Sequence, residues 1–341
     1  MSLVSFVLHV NGERWRAGHD RFVADHPGVV PVIKGNGYGF GRDLLCGEAA
    51  RLDVPMIAVG TYVELPSALA AFGHDVLVME PFRAAVHAGL PDLASRRAVH
   101  TVTTRLDLEA LRGEQPEARV VVEGLTSMNR FGAPVSEVGA LAADADADGV
   151  TLHLPLGTGH VEEISRFITA VPGVRRWFVS HVSATELAAL TGRHTGVELH
   201  PRIGTDLWYA DPASYEVRAH VLDVRRVAKG DHAGYRQRPL PSGHLVVVSG
   251  GTSHGVAMES PSSAATARTR AIAVAEGVLE AAHRVRSPFT VSGTMPRFAE
   301  PPHMQCSLLS LPDGVAPPRV GDEVTVRMRL TTTTPDAVVV S

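Results

Sequence analysis

The sequence predicts a (β/α)8 barrel followed by a mostly β second domain, and three observations carry that expectation. Short β-branched runs alternate with alanine- and leucine-rich stretches from Val29 to Gly204, giving eight strands whose starts lie 19 to 31 residues apart. Alternation at that spacing builds a parallel sheet, and eight units close it into a barrel. No dinucleotide glycine fingerprint opens the first turn, which argues against an open doubly wound sheet. From about Tyr215 strand-like segments punctuated by proline and glycine take over. The expected domains are residues 11–214 for the barrel, and 215–341 together with a strand in 1–10 for the β domain.

In chain order, Phe6–Val10 reads as a short strand and Gly12–Asp25 as a helix. The apolar run Val29–Ile33 is the first barrel strand, and a glycine-rich turn follows Lys34 at once. The other seven are expected at Met56–Gly60, Asp75–Glu80, Val99–Thr104, Ala118–Gly124, Gly149–Leu154, Trp177–Val182 and Glu198–Gly204. Helices between them include Leu44–Leu52, Leu65–Phe72 and Val161–Val171, while the alternating Asp144–Asp148 run reads as a solvated loop. Beyond a boundary near 212–216, strands are expected at Val217–Val227, Gly243–Val248, Phe289–Ser292, Met304–Leu311 and Glu323–Leu330. Helical composition persists mainly in Ser262–Arg284, and Thr331–Thr334 precedes an apolar end suited to one last edge strand.

The net charge of −4 and pI near 6.5 give no electrostatic basis for binding nucleic acid or an anionic membrane. Two distant cysteines, Cys46 and Cys306, form no metal-spaced pair, and the 17 histidines are scattered, so no metal is expected. With no signal-like or bilayer-spanning stretch, the expected setting is cytoplasmic.

Barrel chemistry sits at the C-terminal ends of the strands. Those ends carry Lys34, Glu123 with Arg130, His153, Ser183, Arg202, Gly204 and Thr205. Lys34 stands out because the chain has only two lysines, Lys34 and Lys229, among 32 basic residues. Arginine stays charged and cannot condense with a carbonyl, whereas a desolvated lysine forms a Schiff base. The set suits a phosphorylated planar cofactor and a carboxylate substrate, with Ser183, Gly204 and Thr205 at the usual phosphate position after strands 7 and 8. Each residue also has a plain structural reading: a snorkelling lysine, a strand histidine, a salt-bridged rim arginine, a helix N-cap serine.

Val32-Ile-Lys34-Gly-Asn-Gly-Tyr38-Gly-Phe40-Gly resembles the cofactor-lysine motif of alanine racemases, Val-Val-Lys-Ala-Asn-Ala-Tyr-Gly-His-Gly. The resemblance implies pyridoxal 5'-phosphate on Lys34, with Tyr38 helping to hold its phosphate. Thr126-Ser-Met-Asn-Arg130-Phe-Gly132 is similar to Asp-Thr-Gly-Met-x-Arg-x-Gly, which makes Arg130 the substrate-carboxylate clamp. Thr151-Leu-His153 is similar to Thr-His-Phe, whose histidine stacks on the cofactor ring, and Val182-Ser183-Ala184 to Asn-Ser-Ala, with its phosphate serine. Pro201-Arg202-Ile-Gly204-Thr205 resembles Val-Arg-Pro-Gly-Ile, where the arginine faces the pyridine nitrogen. Lys229-Gly-Asp-His-Ala-Gly-Tyr235 resembles Lys-Gly-x-x-x-Gly-Tyr, whose tyrosine is the second catalytic base. His303-Met304-Gln305 falls on Cys-Met-Asp, and Val320-Gly-Asp-Glu-Val324 matches Val-Gly-Asp-x-Val. In this family Tyr235 and Met304 come from the partner of a head-to-tail homodimer.

The chain departs from the pattern at several points. Phe40 replaces a histidine, and Glu123 stands where a carbamylated lysine often orients the arginine. Gly250-Gly-Thr-Ser-His-Gly255 lacks the tyrosine and aspartate of Gly-Tyr-x-Asp-Gly, and Gln305 replaces another aspartate. No tyrosine follows Tyr235, so the family's C-terminal phosphate tyrosine has no counterpart. The expected function is a two-base amino-acid racemase, Lys34 and Tyr235 acting on opposite faces of a substrate that need not be alanine. Another pyridoxal-phosphate reaction such as decarboxylation, or cofactor binding alone, are the alternatives.

Overall fold

The computed structural model describes residues 5–90, 93–258 and 286–341. Contacts divide the chain into two compact units, Arg16–Asp211 and Met1–Trp15 with Pro212–Ser341. The expected helical stretch Ser262–Arg284 lies outside the described residues.

The chain opens with β1 (Phe6–Val10) and α1 (Gly12–Asp25), and the Asn11 side chain accepts the Arg14 N–H at 2.9 Å as an N-cap. β2 (Val30–Pro31), α2 (Arg42–Arg51), β3 (Met56–Val59), α3 (Leu65–Ala71), β4 (Asp75–Pro81) and α4 (Ala84–His87) follow. Next come β5 (Ala98–Val102), α5 (Arg105–Glu114), β6 (Arg119–Gly124), α6 (Val135–Asp144), β7 (Gly149–Leu152) and α7 (His160–Ala170). β8 (Arg176–Ser180), α8 (Ala184–Arg193), β9 (Glu198–Ile203) and α9 (Thr205–Trp208) complete the repeat.

Strands β2 to β9 form one eight-stranded parallel sheet in the order β2-β9-β8-β7-β6-β5-β4-β3. A bridge between Val32 and Ala58, with Ile33 N–H on Ala58 O at 2.7 Å, closes it into a barrel. β3, β5 and β7 are buried along their whole length, as strands sandwiched between a core and a helical layer must be. Val30, Val32, Met56, Ala58, Leu77, Val99, Val121 and Phe178 pack as one apolar cluster. The first strand is shorter than the apolar run Val29–Ile33, although Val32 N–H on Ile203 O at 2.8 Å carries the pairing past Pro31. Asp144 closes α6 instead of lying in a loop, and Asp148 pairs with Arg119 at 2.7 Å.

The second unit is antiparallel for the most part. It holds β10 (Tyr215–Val227), β11 (His232–Ala233), β12 (Arg238–Pro239), β13 (Gly243–Ser249), β14 (Phe289–Thr290), β15 (Arg297–Phe298), β16 (Cys306–Pro312), β17 (Glu323–Val326) and β18 (Ala337–Val340). The long β10 pairs with β1 and β17 through its first half and with β13 through its second. β18 lies parallel to β1, with Leu8 opposite Val338. β16 starts at Cys306, two residues later than expected, because a turn with His303 N–H on Cys306 O leaves Met304 in a loop. β17 likewise stops at Val326, and a 3-10 turn at Leu330–Thr332 replaces the end of the expected strand. Among the described residues no helix is long and apolar enough to cross a membrane.

Candidate active site

Lys34 leaves the barrel just beyond β2, at the end where the strands β3 to β9 also terminate. Two anchors hold the turn that carries it. Trp208 Nε1 donates to Val32 O at 2.8 Å, and the buried Glu64 carboxylate accepts Gly35 N–H and Gly60 N–H, each at 2.6 Å. Burial lowers the Lys34 pKa below the ordinary lysine range; Arg130 and Arg202 lower it further, and Glu64 opposes them. A lysine so placed gives up its proton more readily than a surface one.

Tyr38 sits in the same turn, buried, with a left-handed backbone at φ 54°. Tyr209 Oη donates to its carbonyl at 2.9 Å. Its own hydroxyl reaches Gly204, where an added Cβ would lie 2.0 Å away, so only glycine admits the phenol. Burial, then Glu64 and Asp206, raise the Tyr38 pKa, which keeps the hydroxyl a neutral donor.

Arg202, at the end of β9, is 5% exposed and donates through Nη2 to Leu152 O at 3.0 Å. Burial pulls it down to about 10 against the pull of Glu123, so it stays cationic at neutral pH. Burial and then the cations Arg202 and Arg130 take His153 to about 3, leaving a neutral imidazole. Its ring stands edge-on to His181 at 5.5 Å, and Thr126 Oγ donates to its carbonyl. Lys34, Tyr38, His153, Ser183, Arg202, Gly204 and Thr205 all line one cavity of about 610 Å³.

Ser183 is also the N-cap of α8. Its hydroxyl accepts Glu186 N–H at 3.2 Å and donates to the Glu186 carboxylate at 2.8 Å, so the plain reading of this serine holds beside its place on the cavity wall. Glu123 is buried on β6 opposite Thr151, and burial raises its pKa against Arg202, Arg130 and Arg83. Among the described residues no ion pair joins it to Arg130, which lies exposed with its guanidinium 5.1 Å from the Phe131 ring.

Tyr235 and Met304 belong to the second unit, 86% and 70% exposed, and share a cavity of about 630 Å³ with Arg236, Thr252, Glu300 and Cys306. Sequence reasoning missed Glu64, although Thr61-Tyr-Val-Glu64 has capping-box spacing. It also missed His181, which follows β8, lines the barrel cavity and holds a left-handed φ of 57°. Its place at the C-terminal end of the expected strand Trp177–Val182 was the available signal.

Comparison with known proteins agrees with this geometry. No curated protein matches by sequence. Among solved structures, alanine racemase from E. faecalis superposes at TM-score 0.73 and 18% identity, covering 99% of this chain and 98% of that one. Alanine racemase from Bartonella henselae, solved with covalently bound pyridoxal phosphate, gives 0.72 at 13% identity over 99% of both chains. The biosynthetic alanine racemase from Pseudomonas aeruginosa gives 0.68 at 18% identity, covering 99% of this chain and all of that one. The family model for the alanine racemase N-terminal domain matches residues 13–211, and the chain therefore belongs to the alanine racemase family.

Proposed function

We propose that this chain is a pyridoxal-phosphate-dependent amino-acid racemase with Lys34 and Tyr235 as its two bases. The observation that supports it best is the convergence of a pKa-depressed lysine, a buried arginine, a neutral histidine and a buried phenol on one cavity. That donor set fits pyridoxal phosphate. Lys34 Nζ would hold it covalently, and the Tyr38 hydroxyl, Ser183, Gly204 and Thr205 would receive its phosphate. When bound, the cofactor supplies the electron sink that acidifies the substrate Cα–H.

The remaining work falls to the chain's own groups. Arg202, a donor without acceptor capacity, would disfavour protonation of the cofactor's ring nitrogen. A weaker sink favours a proton passed quickly between two bases. Neutral His153 would offer its ring to the cofactor without adding charge. Arg130 receives the substrate carboxylate, and the buried Glu123 lies near enough to both arginines to feel their charge. Lys34 Nζ takes or returns the proton on one face, and the Tyr235 hydroxyl, from the partner in a head-to-tail homodimer, does so on the other.

The altered entrance supports a substrate larger than alanine or differently shaped. In place of the family's tyrosine and aspartate, Gly251 to His254 forms a tight turn whose His254 Nε2 lies 3.2 Å from Asp336. Thr252 and Gln305 line the second cavity. Decarboxylation is a second reading, supported by Cys306 on that cavity wall and opposed by Arg202, which would keep the ring nitrogen unprotonated. A chiral amino-acid panel on the cofactor-loaded protein tests both readings. Interconversion of enantiomers supports racemisation, loss of carbon dioxide supports the second reading, and inertness toward every amino acid refutes both.

A further inference from the structure

Glu300 is a buried carboxylate that the barrel chemistry leaves unused. It is 3% exposed and gathers three donors: Tyr235 N–H at 3.0 Å, Arg236 N–H at 3.4 Å and His303 Nε2 in a short bond. The chain runs so close to it that a Cβ on Gly234 would fall 1.9 Å from the carboxylate carbon, and Gly234 holds φ +75°. Burial pushes the Glu300 pKa up, but the His303 bond and the two amides outweigh it and hold the group ionised. Nδ1 of His303 faces Cys306 Sγ at 4.0 Å. The imidazole so fixed lies against the Tyr235 ring, centroids 4.4 Å apart and planes 35° from parallel.

Tyr235 has little else to hold it, and its hydroxyl makes no hydrogen bond among the described residues. An exposed tyrosine samples its staggered rotamers, whereas one with a clamped backbone and a covered ring face does not. We propose that Glu300 and His303 are positioning residues for Tyr235: the carboxylate locks the backbone and the imidazole orientation, and the imidazole is the platform that aims the phenol. This rests on the reading of Tyr235 as a base, and it gives His303 a task in place of the cysteine its position carries in the resembling family motif.

The test combines proton exchange with a direct probe of the ring. In the cofactor-loaded full chain, solvent-deuterium exchange is measured into each enantiomer of the amino acid turned over fastest in the panel. Glu300→Gln and His303→Leu should slow exchange into the enantiomer served by Tyr235 by about ten- to a hundredfold, the scale of a misplaced reacting group. Exchange into the other enantiomer should stay within about twofold, and His303→Phe, which keeps a flat platform, should recover most of the loss. Added to Tyr235→Phe, Glu300→Gln should cost nothing more. Independently of turnover, 3-fluorotyrosine at position 235 should change its fluorine resonance in His303→Leu, a variant that leaves the Glu300–amide clamp intact. If Tyr235→Phe slows both enantiomers alike, the base reading fails. If Tyr235→Phe is selective while Glu300→Gln and His303→Leu slow both or neither, or the resonance stays put, the positioning role is refuted.

Discussion

Glu64 ties the Lys34 turn to the neighbouring barrel strand, and Glu64→Gln isolates that tie. The carboxylate accepts Gly35 N–H and Gly60 N–H at 2.6 Å and Thr61 N–H at 3.3 Å. Glutamine keeps the shape but offers one carbonyl oxygen, so its amide nitrogen must face one of the two closest donors. One charge-assisted bond is lost, the other weakens to neutral strength, and a part-buried N–H is left unpaired. The sum is about 2–4 kcal/mol of lost stability. The charge change acts on Lys34 as well. Burial, Arg130 and Arg202 already lower the lysine pKa, and Glu64 is the group holding it up. Its removal should lower that pKa further, so cofactor attachment, which needs the neutral amine, should extend to lower pH. Denaturant unfolding reads the first effect, and borohydride-trapped cofactor against pH reads the second. An unchanged unfolding midpoint with an attachment profile moved to higher pH would refute the reasoning.

Borohydride reduction of the cofactor-loaded protein should place the label on Lys34, as peptide mapping can check, and a label on Lys229 would contradict the barrel site. Mixed Lys34→Ala and Tyr235→Phe subunits should regain part of the activity lost by each, since some mixed dimers hold one intact site; no recovery despite proven subunit exchange would mean that each chain builds its own site. Burial pushes the Asp336 carboxyl up, but His254 Nε2 at 3.2 Å and the N–H groups of Phe6 and Ser5 outweigh it and leave it below the usual carboxylate range. A depressed carboxylate stabilises above its unfolded pKa of about 3.9. Asp336→Asn should therefore cost about 1 kcal/mol at neutral pH, a difference that disappears as pH falls below the folded-state pKa.

The barrel was legible because its signal is local and repeated: a buried parallel strand, a helix, and again, with starts set by segments such as Met56–Val59 and Gly149–Leu152. Helix Gly12–Asp25 was legible to the residue, capped by Asn11. Strand ends were less so. The turn at His303 removed residues from a run that composition alone reads as extended. Lys34 announced itself by the scarcity of lysine. Glu64 did not, because its partner Gly35 lies 29 residues away and only the closed barrel brings them together. Glu300 was hidden for the same reason, its contact with Tyr235 spanning 65 residues.

The pairing of Phe6 with Ala219 has a consequence for synthesis on the ribosome. Among the described residues Phe6–Val10 is the strand made earliest, and it is buried almost throughout. Its antiparallel partner is translated only after the whole barrel segment, a wait on the order of 10–40 s at ~5–20 residues per second. For that interval an apolar, β-prone pentapeptide has no partner of its own, and this is the window in which a nascent-chain chaperone has most to do. Slowed elongation between Arg16 and Asp211 should lengthen the exposure and lower soluble yield, with no change in the stability of the finished protein.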